Sequence, residues 1–294
     1  MRIMAFERGG QAGLGVLTED GGAVRPFDLP AAEAARGVQA LIDRAVAGMA
    51  PPATGAPVPV SGLRHRAPMP RPRRNIFCVG KNYREHAQEF AKSGFDSSAA
   101  AGAVPKAPIV FSKLPECVIP HGAPIPVDDA VSAAIDYETE LGVIVGTGGR
   151  GISRADAMAH VWGYTIINDV TARDLQGRHS QWLIGKSQDG FCPMGPVAAT
   201  ADAIDLADTA IRGWVNGELR QDSNTALLIF DVPTLIETIS AGITLMPGDV
   251  IATGTPAGVG IGFNPPKYLR PGDVVRMEIA GIGVLENPVV AHDG

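Results

Sequence analysis

The sequence predicts an α+β chain, mostly β, with a few short helices and a small N-terminal domain ahead of a larger one. Three observations lead there. Short apolar runs recur along the 294 residues, most of them bounded by Gly, Pro or Asn-Gly, which is the pattern of strands and turns. Few stretches carry helical periodicity. Pro51 to Pro59 is a Pro/Ala/Gly linker whose loop character lasts to Pro72, and this separates residues 1–70 from 71–294.

Strands are expected at Arg2 to Phe6, Gly13 to Leu17 and Ala23 to Phe27, with Gly9-Gly10 and Asp20-Gly21-Gly22 as turns. Ala31 to Ala47 reads as one helix, because Val38, Leu41, Ile42 and Ala45 share a stripe. Asn75 to Val79 is an apolar run that fits a buried strand. Asn82 is placed to cap the helix that follows, with Glu85 three residues on. Lys92 to Ala107, rich in Ser, Ala and Gly, reads as a mobile loop or lid. Pro108 to Ser112 is a strand leading to Lys113. Ser153-x-x-Asp156 and Thr171-x-x-Asp174 suit helix starts. Ile211 to Val215 and Glu218 to Asp222 form a hairpin about Asn216-Gly217. Asp231 and Pro233 open a helix that Gly242 ends. Two similar elements, around Pro247-Gly248-Asp249 and Pro271-Gly272-Asp273, are turns into strands.

Composition narrows the function. Hydrophobic residues make up 45% and charged residues 19%, as in a globular chain. A net charge of −6 argues against an electrostatic nucleic-acid binder. The basic run Arg64, Arg66, Arg71, Arg73 and Arg74 lies in the connector and reads as solvated. Cys78, Cys117 and Cys192 fit no zinc spacing, and so sparse a set suits a reducing compartment. Met1 to Gly10 has no apolar secretory segment, and no uncharged run approaches the roughly 18 residues that span a bilayer. The expectation is a cytoplasmic protein with no membrane or nucleic-acid partner.

The stretch Ile135 to Val145 carries the chemistry. In a strand, side chains alternate between faces, so Asp136, Glu138 and Glu140 point one way and Tyr137, Thr139 and Leu141 the other. Like charges on one face repel unless a cation sits among them, and a hard divalent ion takes oxygen ligands. A solvated edge strand also carries Glu-x-Glu. A second segment singles this one out: the apolar run Trp162 to Ile167 ends in Asn168-Asp169, and Asp169 would complete a set of three carboxylates. On the helix after Asn82, His86 and Glu89 are neighbours on one face, where the carboxylate orients the imidazole as a general base for water. An exposed ion pair has the same spacing. Gly185-Lys186-Ser187 lacks the glycine loop of a phosphate-binding motif, and Lys186 is instead a point charge for a substrate carboxylate. The Gly-rich loop Ala252 to Gly260 offers amides and hydroxyls to an anionic oxygen, and a turn-rich loop without a ligand fits the same spacing.

Five segments taken together resemble the fumarylacetoacetate hydrolase family over residues 75–290. They are Gly80-Lys81-Asn82-Tyr83 through His86 and Glu89; Asp136 to Leu141; Asn168 to Asp174; Gly185-Lys186-Ser187 with Cys192 to Pro196; and Thr253 to Gly260. The resemblance implies a mixed β-sandwich or β-roll core and a homodimer. It implies Mg²⁺ or Mn²⁺, with Ca²⁺ as a substitute, held by Glu138, Glu140 and Asp169. By the same likeness Lys186, Gln176, Thr255, Arg173 and Tyr83 grip the keto-acid end of a small substrate, and His86 with Glu89 activates water.

The expected reaction is hydrolysis of a C–C bond in a 2,4-diketo acid such as an acylpyruvate, leaving a pyruvate enolate, of the kind used in aromatic compound catabolism. An oxaloacetate-type decarboxylase, or a tautomerase, isomerase or lyase of 2-hydroxydienedioates, would use the same metal without an attacking water. A non-catalytic metal-stabilised binding protein is a remote alternative, since no ligand of the set is missing. The distal group of the substrate stays open, with Ser97, Ser98, Lys106, Arg84 and Arg178 as candidates to select it.

Overall fold

The two strands nearest the acidic residues are buried on both faces. In Thr139–Val145 every residue is buried, and in Val161–Asn168 all but one. Leu141, Val143 and Ile166 enter one core, whereas their neighbours Ile144 and Ile167 enter another. That alternation is what a strand sandwiched between two layers requires. The computed structural model describes residues 1–92 and 104–292. Ser97 and Ser98, and most of the predicted loop after the His86 helix, lie outside the described residues.

The fold is mostly β. One sheet of twelve strands runs in the order Val58–Pro59, Ala23–Pro26, Gln11–Leu17, Arg2–Arg8, Cys192–Thr200, Val161–Asn168, Thr139–Val145, Val250–Ala252, Ile76–Gly80, Ile109–Lys113, with two short strands branching off that path. A five-stranded sheet packs on one face, built from Glu218–Asn224, Ala210–Val215, Val274–Ile279, Gly283–Ala291 and Ile125–Val127. Ile211, Val215, Met277 and Leu285 meet Val143 and Ile166 in the core between them. On the other face lie Ala34, Val38 and Ile42 of the N-terminal segment, packed with Ile3, Ala5, Ile144 and Val250. The N-terminal strands therefore extend the sheet that carries the acidic residues, through Arg2 opposite Ala199 and Ile3 opposite Ala198.

Local predictions hold where turn chemistry is simple. Asn216 and Gly217 both take positive φ and join their two strands, and Asp231 accepts the Thr234 amide to open the helix Val232–Ser240. Three readings are corrected. The helix expected over 31–47 is broken into Ala31–Ala34 and Gln39–Val46, because Gly37 turns to φ +62 and packs under Pro68. Asn82 ties loops together instead of capping: its side chain bonds Thr253 O at 2.7 Å, and Phe230 N and O at 2.8 and 3.0 Å. Thr171 belongs to a two-residue strand against Ile135–Asp136, so the helix Arg173–Arg178 starts from Ala172 without a side-chain cap. The basic run is exposed at Arg64, Arg71 and Arg73, as expected, and is also ion-paired, with Arg64 on Glu7, Arg71 on Glu116, Arg73 on Asp43 and Arg74 on Asp249.

A Cβ at Gly37 would fall 2.1 Å from Pro68 O on a backbone that L side chains rarely adopt. Gly37→Ala should therefore lower stability by about 1–3 kcal/mol. An unchanged urea midpoint would show that the break between the two helices is not under this constraint.

Candidate active site

The strand ladder brings the predicted carboxylates together. Thr139 stands opposite Asn168 and Glu140 opposite Ile167. Just past that pairing, Asp169 N–H donates to Glu138 O at 3.0 Å, and Glu138 N–H donates to the Asn168 side chain at 3.1 Å. One oxygen from each of Glu138, Glu140 and Asp169 lies within 4.8 Å of the others, and all three residues are buried. Asp136 leaves the shared face. The strand breaks after it, and its carboxylate takes the Arg173 Nε at 2.8 Å and the amides of Gly260 and Ile261 at 2.6 and 3.0 Å.

Three buried cations sit among these acids. Lys186 Nζ lies between Glu138 and Asp169, at 2.8 and 2.7 Å. It thus holds two members of the triad, a contact that the expected substrate role did not include. Arg173 reaches Asp136, Glu138 at 2.8 Å and the Gln176 side-chain oxygen at 3.2 Å. Lys113 is the residue that sequence reasoning missed. It is fully buried and donates to Asp169 at 2.7 Å, to Val170 O at 3.1 Å and to the Lys186 carbonyl. The available signal was a lysine ending an apolar strand that has to be buried. Burial acts to lower the Lys113 ammonium, but the Asp169 charge outweighs it and keeps it protonated.

The carboxylates respond in opposite directions. Burial pushes Glu138 up, but Lys186 and Arg173 outweigh it and bring it down to about 2. Burial and the Asp169 and Glu138 charges push Glu140 well above the usual carboxylate range, against Lys186 and a 2.8 Å bond from Gly254 N–H. Three cations (Lys113, Arg173, Lys186) are ion-paired with Asp136, Glu138 and Asp169, and a fourth buried cation, Lys81, lines the recess with Glu140. A divalent cation fits this set. The donors are hard oxygens, and one from each of three carboxylates converges within 4.8 Å. The Tyr83 hydroxyl supports the same conclusion: it is buried, has no hydrogen-bond partner among the described residues, and feels Glu140.

Glu138, Glu140, Arg173 and Lys186 line a narrow recess together with Lys81, His86, Gln176 and Thr255. An aromatic wall of Phe90, Phe111 and Trp182 adjoins them, with Lys186 Nζ 5.0 Å over the Phe111 ring. His86 is buried, and its Nδ1 lies 3.2 Å from Glu89 Oε2. The Glu89 carboxylate favours the tautomer with a proton on Nδ1, which leaves the Nε2 lone pair unused by that contact. Glu89 Oε1 accepts Gly258 N–H at 3.0 Å. Thr255 Oγ accepts from Gln221 at 2.8 Å, so its own proton remains to be donated. Arg84, Lys106 and Arg178 are exposed and do not line the recess.

Comparison with known proteins agrees with this geometry. The family model described as fumarylacetoacetate (FAA) hydrolase C-terminal matches residues 75–290. The chain is 48% identical over 231 residues to the oxaloacetate tautomerase YisK of Bacillus subtilis (strain 168), covering 78% of this chain and 74% of that protein. It is 42% identical over 240 residues to the human mitochondrial oxaloacetate tautomerase FAHD2A, covering 79% and 71%. Among solved structures, a fumarylacetoacetate hydrolase from psychrophilic Exiguobacterium antarcticum is similar with a TM-score of 0.83 and 41% identity, over 99% of this chain and 100% of that one. A 2-hydroxyhepta-2,4-diene-1,7-dioate isomerase from Mycobacterium marinum is similar with a TM-score of 0.76 and 33% identity, over 100% of both chains. With a match that spans the acidic strand, the His86 helix and the Gly-rich loop, the chain belongs to the fumarylacetoacetate hydrolase family.

Proposed function

We propose that the protein is a divalent-metal-dependent tautomerase that interconverts the keto and enol forms of oxaloacetate-like 2-oxo dicarboxylic acids. The observation that carries the reading is that His86, hydrogen-bonded to Glu89, lines the same recess as Glu138 and Glu140 of the carboxylate triad. The tautomerase names of the relatives support it.

A cation held by Glu138, Glu140 and Asp169 would supply Lewis-acid polarisation of the 2-oxo and carboxylate oxygens. The protein's own groups do the rest. Thr255, Gln176 and Lys186 orient the acid end of the substrate, and Lys186 and Arg173 keep Glu138 ionised. His86 Nε2 takes a proton from C3, and Glu89 holds the imidazolium that forms. The C3–H electron pair becomes the C2–C3 double bond while the carbonyl pair moves to the 2-oxo oxygen. Return of the proton from the His86 imidazolium to that oxygen gives the enol and restores the neutral imidazole, and the reverse sequence gives the ketone. The aromatic wall limits water at the reacting carbons.

A second reading keeps the sequence expectation. The same His86–Glu89 hydrogen bond could draw a proton from water for attack on a 2,4-diketo acid, and the Exiguobacterium neighbour carries the hydrolase name. One panel separates them. Metal-free protein supplied with Mg²⁺ or Mn²⁺ should speed the ultraviolet decay of freshly dissolved oxaloacetate enol, with no new acid from acylpyruvates. Pyruvate plus a second acid from an acylpyruvate, without tautomerisation, would move the assignment to hydrolase; carbon dioxide from oxaloacetate would move it to decarboxylase.

His86→Ala should cost about 10²-fold or more in kcat while the metal-induced rise in Tm is retained. Normal turnover in that variant would remove His86 from the chemistry. Glu140→Gln should raise the Tm of the metal-free protein, because burial and the Asp169 and Glu138 charges disfavour a carboxylate there, a cost that Gln does not carry, and it should shrink the rise that metal produces. A lower metal-free Tm with an undiminished metal effect would contradict this account of Glu140.

A further inference from the structure

We propose that Asp136 and Tyr137 are positioning residues that hold Glu89, through the loop 258–262, in register with the carboxylate triad. This rests on the reading that the His86–Glu89 pair moves the proton. Asp136 is the acid of the strand that does not join the triad, and Tyr137 lies between it and Glu138. Both grip the same loop. The Asp136 carboxylate accepts the amides of Gly260 and Ile261, at 2.6 and 3.0 Å. The buried Tyr137 hydroxyl donates to Gly258 O at 2.8 Å, with the Arg220 guanidinium 5.6 Å over its ring.

The loop then grips Glu89. Gly258 N–H donates to Glu89 Oε1 at 3.0 Å, while Glu89 Oε2 faces His86 Nδ1 at 3.2 Å. The fit is close enough that a Cβ at Gly262 would fall 1.8 Å from Glu89 Oε1. Each carboxylate oxygen of Glu89 is therefore committed, one to the loop and one to the imidazole. The apolar attachment of the nine-residue helix Arg84–Lys92 to this loop is small, with Phe90 against Val259 and Ile261. Greasy contact of that size does not fix a side-chain angle, whereas the polar path does. It runs from the peptide next to a triad ligand, through Tyr137 and Gly258, to Glu89 and His86. The distance between base and triad is thus set by covalent chain and hydrogen bonds, and misplacement by about 1 Å costs about 10²-fold in rate.

Tyr137→Phe removes the hydroxyl and keeps the ring. The expected result is a kcat lower by about 10-fold, with KM and the metal-induced rise in Tm unchanged. In a Glu89→Ala background the same substitution should change kcat by less than about 2-fold, since its route of action is already gone. Deuterium exchange, read on metal-free protein, should be faster in segments 84–92 and 256–262 of Tyr137→Phe and unaltered elsewhere. An equal fold-loss in both backgrounds, or wild-type exchange in both segments, overturns the proposal and leaves Tyr137 as packing alone. If the wild-type protein turns over no keto acid, the functional reading fails, and the exchange measurement still decides the clamp.

Discussion

Buried carboxylates held against buried cations are the constraint on which this molecule depends. Such a cluster is costly to remove from water unless each charge meets a partner with good geometry. Lys186, Arg173 and Lys113 supply those partners at 2.7–2.8 Å. Glu140 is the member that they leave least compensated, which is why burial and its neighbours push it up. The cluster has the donor chemistry of a hard-cation site, with Glu140 the carboxylate that such an ion would relieve.

The fold serves that arrangement by burying the ladder on both faces. Glu138, Glu140 and Asp169 come from the adjoining ends of two paired strands, whose register is fixed by cores on either side. The other groups of the recess come from elsewhere in the chain. His86 and Glu89 ride on a short helix, and Thr255 on a loop after the strand Val250–Ala252.

Much of this was legible in the sequence, for definite reasons. Period-two spacing marked Glu138 and Glu140, and the end of an apolar strand marked Asp169. Spacing of three marked His86 and Glu89. What escaped depended on contacts between segments far apart in the chain. Asp136 obeys the same alternation as Glu138, yet a strand break turns it toward Arg173 and the loop amides. Lys113 has no local motif, and its partner Asp169 lies 56 residues away. Asn82 has the chemistry of a helix cap, but the backbone of Thr253 and Phe230 competes for it and wins. The enzymatic step is a matter of which proton moves, and no spacing encodes that.

The strand Cys192–Thr200 has a consequence for how the edge of this sheet is protected. It is flanked on one side by Val161–Asn168, and on the other by Val118–Ile119 at one end and Arg2–Arg8 at the other. Without the N-terminal strands, residues 197–200 would present open amides and carbonyls at the rim of the sheet, a template for pairing with another chain. Pro193 and Pro196 blunt the rest of that rim, since neither has an N–H to offer. Met1, Arg2 and Ile3 therefore cover a rim that would otherwise be open to edge-to-edge pairing.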